Sequence, residues 1–96
     1  MIRIVKMVFK PEMIEEFLTN FQKDKQKIRN FEGVEHLELL QDKVNKNCYF
    51  TYSKWKSPEH LENYRNSELF KGIWKVTKPM FVEKAQAWSV DSLEQL

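Results

Sequence analysis

Residues 54–74 read KWKSPEHLENYRNSELFKGIW, and the fold turns on how this stretch is parsed. Trp55 falls near the end of CYFTYSKWK (residues 48–56), a β-branched and aromatic run that reads as a strand. Ser57 then offers a hydroxyl suited to a helix N-cap. Pro58 fits the first helical position and Glu59 the first turn. Ser67 can cap a second, abutting helical segment carrying Phe70, Ile73, Trp74 and Thr77, which Pro79 stops. A strand therefore runs into a pair of helices crowded with aromatics. Tyr64, Phe70 and Trp74 either line a pocket there or fill a core.

Upstream, residues 1–9 (MIRIVKMVF) read as a strand whose two faces are both mostly apolar. One face carries Ile2, Ile4, Lys6 and Val8. The other carries Met1, Arg3, Val5, Met7 and Phe9. Pro11 opens a helix over residues 12–29, in which Met13, Phe17 and Phe21 recur at spacings of four beside Ile14, Leu18 and Ile28. Gly33 ends the connection. Residues 34–43 form a second strand, with Val34, His36, Glu38 and Leu40 on one face, and Asp42, Asn45 and Asn47 mark a hairpin loop into the third. Residues 80–90 make a fourth strand, and 91–96 are a polar tail.

The order β-α-β-β-α-β is that of a ferredoxin-like α+β domain with helices on one face of an antiparallel sheet. One domain spans residues 1–96. The opposite sheet face keeps apolar residues that no element of this chain covers, so a second copy is expected to cover it as a homodimer.

Composition bounds the function. A net charge of +2, from 16 basic and 14 acidic residues, comes without a basic stripe, so a nucleic-acid partner is not expected. No run reaches transmembrane length, and Arg3 and Lys6 interrupt any signal-like apolar segment, so the expectation is a cytoplasmic protein without a membrane partner. Cys48 is the only cysteine, which removes disulfide frameworks and thiolate clusters. No His, Asp or Glu pair has metal-ligand spacing, and phosphate-cradling glycine motifs are absent. No metal site is expected.

Trp55-Lys56-Ser57, the helix after it, and Asn66 to Phe70 (NSELF) resemble the antibiotic biosynthesis monooxygenase superfamily. Phe9 to Glu12 (FKPE) is similar to that family's strand-to-helix turn, with Glu12 where Gly is frequent. The resemblance implies a dimeric α+β barrel. It also implies one of two activities: oxidation of polycyclic phenols or quinols by O₂ without metal or flavin, or haem binding and degradation. The haem branch is similar without gaps from Trp55 through Lys78. Its Asn position falls near Val5, its Trp position at Tyr64 and its iron-ligating His position at Trp74. All three functional residue types are missing.

Haem iron needs a lone-pair donor, which indole lacks. Tyr64 would serve only as phenolate, from an ordinary pKa of about 10, and Trp74 is expected to fill the volume that a ligand would need. Cofactor-free oxygenation of an aromatic metabolite is therefore the first reading, haem binding the second, and a non-enzymatic ligand-binding or stress-associated module the third. Oxygenation without a cofactor needs an anion stabiliser or base in an apolar pocket. The candidate catalytic groups are Lys6, His36 and Tyr64, with Met7, Phe9, Tyr52, Phe70, Trp74 and Trp88 as candidate substrate contacts. Each has a plainer reading: Lys6 snorkels from the strand to water, His36 is a half-buried structural histidine, and the aromatics are core. His60, in the first turn of its helix, reads as exposed.

Overall fold

The computed structural model describes residues 1–96. Strand β1 (Ile2–Val8) leads through a 3₁₀ turn at Pro11–Met13 into helix α1 (Ile14–Arg29). Strands β2 (Val34–Gln41) and β3 (Cys48–Trp55) form a hairpin, followed by α2 (Pro58–Arg65), α3 (Glu68–Thr77) and β4 (Gln86–Val90). The four strands lie in the order β2-β3-β1-β4, with every neighbour antiparallel. This is the ferredoxin-like α+β sheet, and all three helices pack on one of its faces.

Strand parity chooses that face. Met7 on β1 and Phe9 just beyond it, with Tyr49 and Trp55 on β3, turn toward the helices and are buried. The core forms two clusters. Met7, Phe9, Phe17, Tyr49 and Met80 close one end, and Val34, Trp55, Leu61 and Tyr64 close the other.

Both helices after Trp55 start where their serines allow. Ser57 Oγ accepts from the His60 backbone N–H at 3.3 Å and lies 2.7 Å from His60 Nδ1, and Ser67 Oγ accepts from Phe70 N–H at 3.1 Å. The substitution Ser57→Ala is expected to lower stability by about 1 kcal/mol, read as a lower urea midpoint with an unchanged slope. An unmoved midpoint would mean that the hydroxyl adds nothing to the helix start.

Three expectations need correction. Residues 80–85 are not strand: Pro79 sets a 3₁₀ turn at Lys78–Met80 that buries Met80, and only an isolated bridge between Phe81 and Phe9 precedes β4. His36 does not share a face with Val34. The register shifts between them, so Val34 pairs with Trp55 on the helix side while His36 pairs with Lys54 on the other. Arg29 secures this bulge by donating to the carbonyls of Val34 and Glu35 at 3.0 and 3.1 Å. His60 is not free in solvent either: its ring packs over Gly33 and touches Ser57.

Candidate functional site

Between the two core clusters the helix-facing side of the sheet carries short residues. Val5, Thr51, Ser53, Ala85 and Ala87 occupy this middle ground, and they are too small to reach the helices. A cavity of about 470 Å³ remains between sheet and helices, within the range of small-molecule sites. Of its 19 lining residues 14 are hydrophobic, which makes it a site for an apolar body. α1 contributes Phe17, Phe21 and Ile28, while α3 contributes Phe70, Ile73 and Trp74.

Trp74 is a wall of this cavity and not a plug, contrary to expectation. Its indole stacks on Phe70, with centroids 5.8 Å apart and planes at 12°, and meets the edge of Phe81 at 5.6 Å. Phe70 on α3 and Phe81 beyond it flank the ring, and the cavity stays open beside it.

The polar lining is sparse. Trp55 Nε1 donates to Ser53 Oγ at 2.9 Å, and Thr77 Oγ1 donates to the Ile73 carbonyl at 2.7 Å, so those groups are satisfied internally. Tyr64 is different. Its ring is held between Trp55 and Phe70, each at 5.2 Å, and by the edge of Phe31. Its hydroxyl has no partner within the chain, yet no fully buried side-chain polar atom is left unsatisfied. The hydroxyl therefore opens onto the cavity. Burial, with a smaller push from the Asp24 charge, raises the Tyr64 pKa to about 12. Near neutral pH it is a phenol, able to donate a hydrogen bond and unable to act as a base.

That shift has a signed consequence for stability. The folded pKa lies above the unfolded value, so Tyr64 contributes fully below pH 10 and loses its contribution as pH rises toward 12. The loss should be on the order of 2 kcal/mol across that window. Tyr64→Phe should flatten this part of the stability–pH curve while leaving stability near pH 7 within about 0.5 kcal/mol. Identical pH curves for the two proteins would show that the phenol titrates normally.

Two guanidiniums complete the lining, Arg3 from β1 and Arg65 from α2, and no carboxylate accompanies them. Arg3 is flanked in the sheet by Ser53 on β3 and Ser89 on β4, short residues that leave room for its head group. Its Nη1 donates to Ser89 Oγ at 3.0 Å. Burial and then the Arg65 charge lower its pKa, with Glu62 opposing, but arginine keeps its proton.

Among the expected site residues, Met7, Tyr64, Phe70 and Trp74 meet at this cavity. Phe9 does not: it is wholly buried in the first core cluster. Lys6, His36, Tyr52 and Trp88 stand on the opposite face of the sheet, because their register places them across from Phe50, Lys54, Glu38 and Ile4. There His36 Nε2 lies 2.7 Å from Glu38 Oε1, and its ring meets Tyr52 edge-on. Arg3 and Arg65 were not foreseen. The available signal was parity: Arg3 is the one charge in the strand set that also holds Met7 and Phe9.

A family model described as antibiotic biosynthesis monooxygenase matches residues 1–75, from β1 to α3. No curated protein matches the chain significantly by sequence. Among solved structures, a conserved protein from Methanosarcina mazei Go1 superposes with a TM-score of 0.84 at 23% identity, over 90% of this chain and 86% of that one. One described as an antibiotic biosynthesis monooxygenase reaches a TM-score of 0.88 at 16% identity, covering 98% of this chain and all 100% of its own. A Mycobacterium tuberculosis protein gives 0.88 at 11% identity, over 98% and 95% of the two chains. Identities this low carry the fold alone. The family model carries more, since the segment it matches supplies both core clusters' strands, the helix after Trp55 and most of the cavity wall: the chain belongs to the antibiotic biosynthesis monooxygenase family.

Proposed function

We propose that this protein is a cytoplasmic, homodimeric monooxygenase that oxidises a small aromatic molecule with O₂, using neither metal nor flavin. The observation that carries the reading is the cavity, apolar on its walls and furnished with the free hydroxyl of Tyr64. Its aromatic walls suit the faces of a planar ring system. Exclusion of water protects the reactive intermediates of phenol or quinol oxidation from side reactions. Tyr64, held as a phenol, donates a hydrogen bond to a ring oxygen of the substrate. The substrate supplies all the electrons: a phenol with a free para carbon and one O₂ give a para-quinone and one water.

Haem fits this lining poorly. Trp74 has no donor atom, Tyr64 is held protonated, and neither imidazole nor thiol lines the cavity, leaving only the thioether of Met7.

The test is oxygen uptake and quinone formation with a panel of polycyclic phenols and quinols, after chelation of metals. One mole of O₂ per mole of quinone is the expected result, with Tyr64→Phe slower by roughly tenfold or more. Uptake that requires added haem or flavin would overturn the reading.

The homodimer rests on the sheet's other face. Leu40, Trp88 and Val90 remain 40, 44 and 41% exposed there, beside half-buried Ile4, Phe50 and Tyr52. Sedimentation at micromolar concentration should give twice the 11.7 kDa chain mass, and a monomer would refute the assembly. No helix is long and apolar enough to cross a membrane. The single thiol, Cys48, is buried and free, which suits a reducing compartment.

A further inference from the structure

We infer that the cavity selects the anionic form of its aromatic ligand, with Arg3 of β1 and Arg65 of α2 holding the negative oxygen. The inference rests on the preceding reading only in taking this cavity as the ligand site.

The charge balance of the lining is the first observation. Two arginines, Arg3 and Arg65, line an apolar space and no carboxylate does. Arg65 has an acidic neighbour, Glu62, but at 3.5 Å and on the exposed side of α2. Arg3 has no carboxylate within ion-pair distance. Its one side-chain hydrogen bond, to Ser89 Oγ, leaves most of its five donors free. Two carboxylates act on the cavity from outside its lining: Asp24 on α1, whose field reaches Tyr64, and Glu62 on α2, whose field reaches Arg3. Arg65 lowers the Arg3 pKa more than Glu62 raises it, so an anion between the two cations removes a repulsion that Glu62 offsets only in part.

The second observation is placement. Small residues surround Arg3: Ser53 and Ser89 flank it in the sheet, and Ala87 lies one strand over from Val5. No helix covers β4, whose residues are all exposed. A flat ligand can therefore rest its body against Phe70 and Trp74 and present an oxygen to Arg3 from the β4 side.

The consequence for chemistry is that no general base is needed in the cavity. No lining residue offers one, since Tyr64 is a protonated phenol and no histidine or carboxylate is present. A phenol bound beside Arg3 releases its proton to solvent because the bound phenolate is favoured. An apolar cavity without the cations would do the opposite and hold the phenol neutral. The sign of the ligand's own pKa shift on binding therefore decides the matter.

The probe is a nitronaphthol, whose phenolate absorbs in the visible and whose nitro group withdraws the electrons that O₂ would take, so binding is read without turnover. Bound to the protein, its apparent pKa should fall by about one pH unit, equivalent to about tenfold tighter binding of the anion than of the neutral form. Arg3→Gln should abolish the fall, and Arg3→Lys should restore part of it with the fold intact. Raised salt should weaken the phenolate and spare neutral nitronaphthalene. A pKa that rises on binding, or a nitronaphtholate that fails to bind while nitronaphthalene binds, overturns the inference and leaves the aromatic cavity standing. A lowered probe pKa with no oxygen uptake from any phenol keeps the anion site and removes the oxygenase reading.

Discussion

Phe9→Ala is expected to lower the unfolding free energy by about 4 kcal/mol. The ring is completely buried. It stacks on Phe17 of α1 at 4.2 Å, meets Tyr49 of β3 at 5.7 Å and Phe81 at 5.2 Å. These contacts join three separate parts of the chain, so neighbours cannot collapse into the vacated space without moving α1 or the segment before β4. A domain of this size has roughly 5–15 kcal/mol in total, and the variant should be marginal. Chemical denaturation at fixed protein concentration is the measurement, since a dimer's apparent stability depends on concentration. A loss below about 1 kcal/mol would show that the cluster repacks around the gap. Trp74, stacked on one side and open to the cavity on the other, should cost much less when truncated.

That contrast between Phe9 and Trp74 shows what could be read from residues alone and what could not. Local rules located most elements. Ser57 with Pro58 starts α2, Ser67 starts α3, and a period of four along Met13, Phe17 and Phe21 gives α1 its buried stripe. These depend on neighbours a few positions apart. The side of the sheet on which each strand residue falls is also local, until a bulge intervenes. The register shift after Val34 reverses the parity of β2, and nothing in VEHLELLQ marks it. Its anchor, Arg29, reaches back from the end of α1.

The cavity was less legible because it is a property of residues that are too small rather than of residues that are distinctive. Thr51 and Ser53 come from β3, Ala87 from β4 and Ala85 from just before it, and only pairing in register across β1 makes them a continuous floor. Lys6 is the odd charge on one face of β1 and Arg3, three positions before it, on the other, and by sequence either face could meet the helices. Phe9, Tyr49 and Trp55 outweigh Ile4 and Phe50 in buried area and settle that choice toward the side with Arg3. Tyr64 was legible as a residue of interest, but its protonated state follows from burial between Trp55 and Phe70, which only the packed structure displays.

Gly33→Ala should be nearly as damaging as Phe9→Ala, at about 4 kcal/mol, although it adds only a methyl group. Gly33 has a φ of +93°, the one positive φ in the chain, where a side chain is strained. A Cβ there would also lie inside the van der Waals surface of His60, against its Cβ, Cγ and Cδ2. His60 Cβ is fixed by the α2 backbone, so the ring cannot swing away to relieve the overlap; the first turn of α2 or the Gly33 backbone must shift. Either movement disturbs the cap at Ser57 and the hydrogen bond from Lys56 N–H to the Gly33 carbonyl. Tyr64 lies on the same helix, so its hydroxyl should also lose its place over the cavity. A double-mutant cycle separates the two sources of cost. His60→Ala keeps the Cβ and should rescue little of the Gly33→Ala penalty, whereas His60→Gly removes all three contacting atoms and should rescue the steric part, leaving the φ strain. Equal rescue by both would place the conflict at the ring and refute the backbone account. A full-strength Gly33→Ala protein with an unchanged denaturation midpoint would show that the turn before β2 can relax away from φ +93° without moving α2.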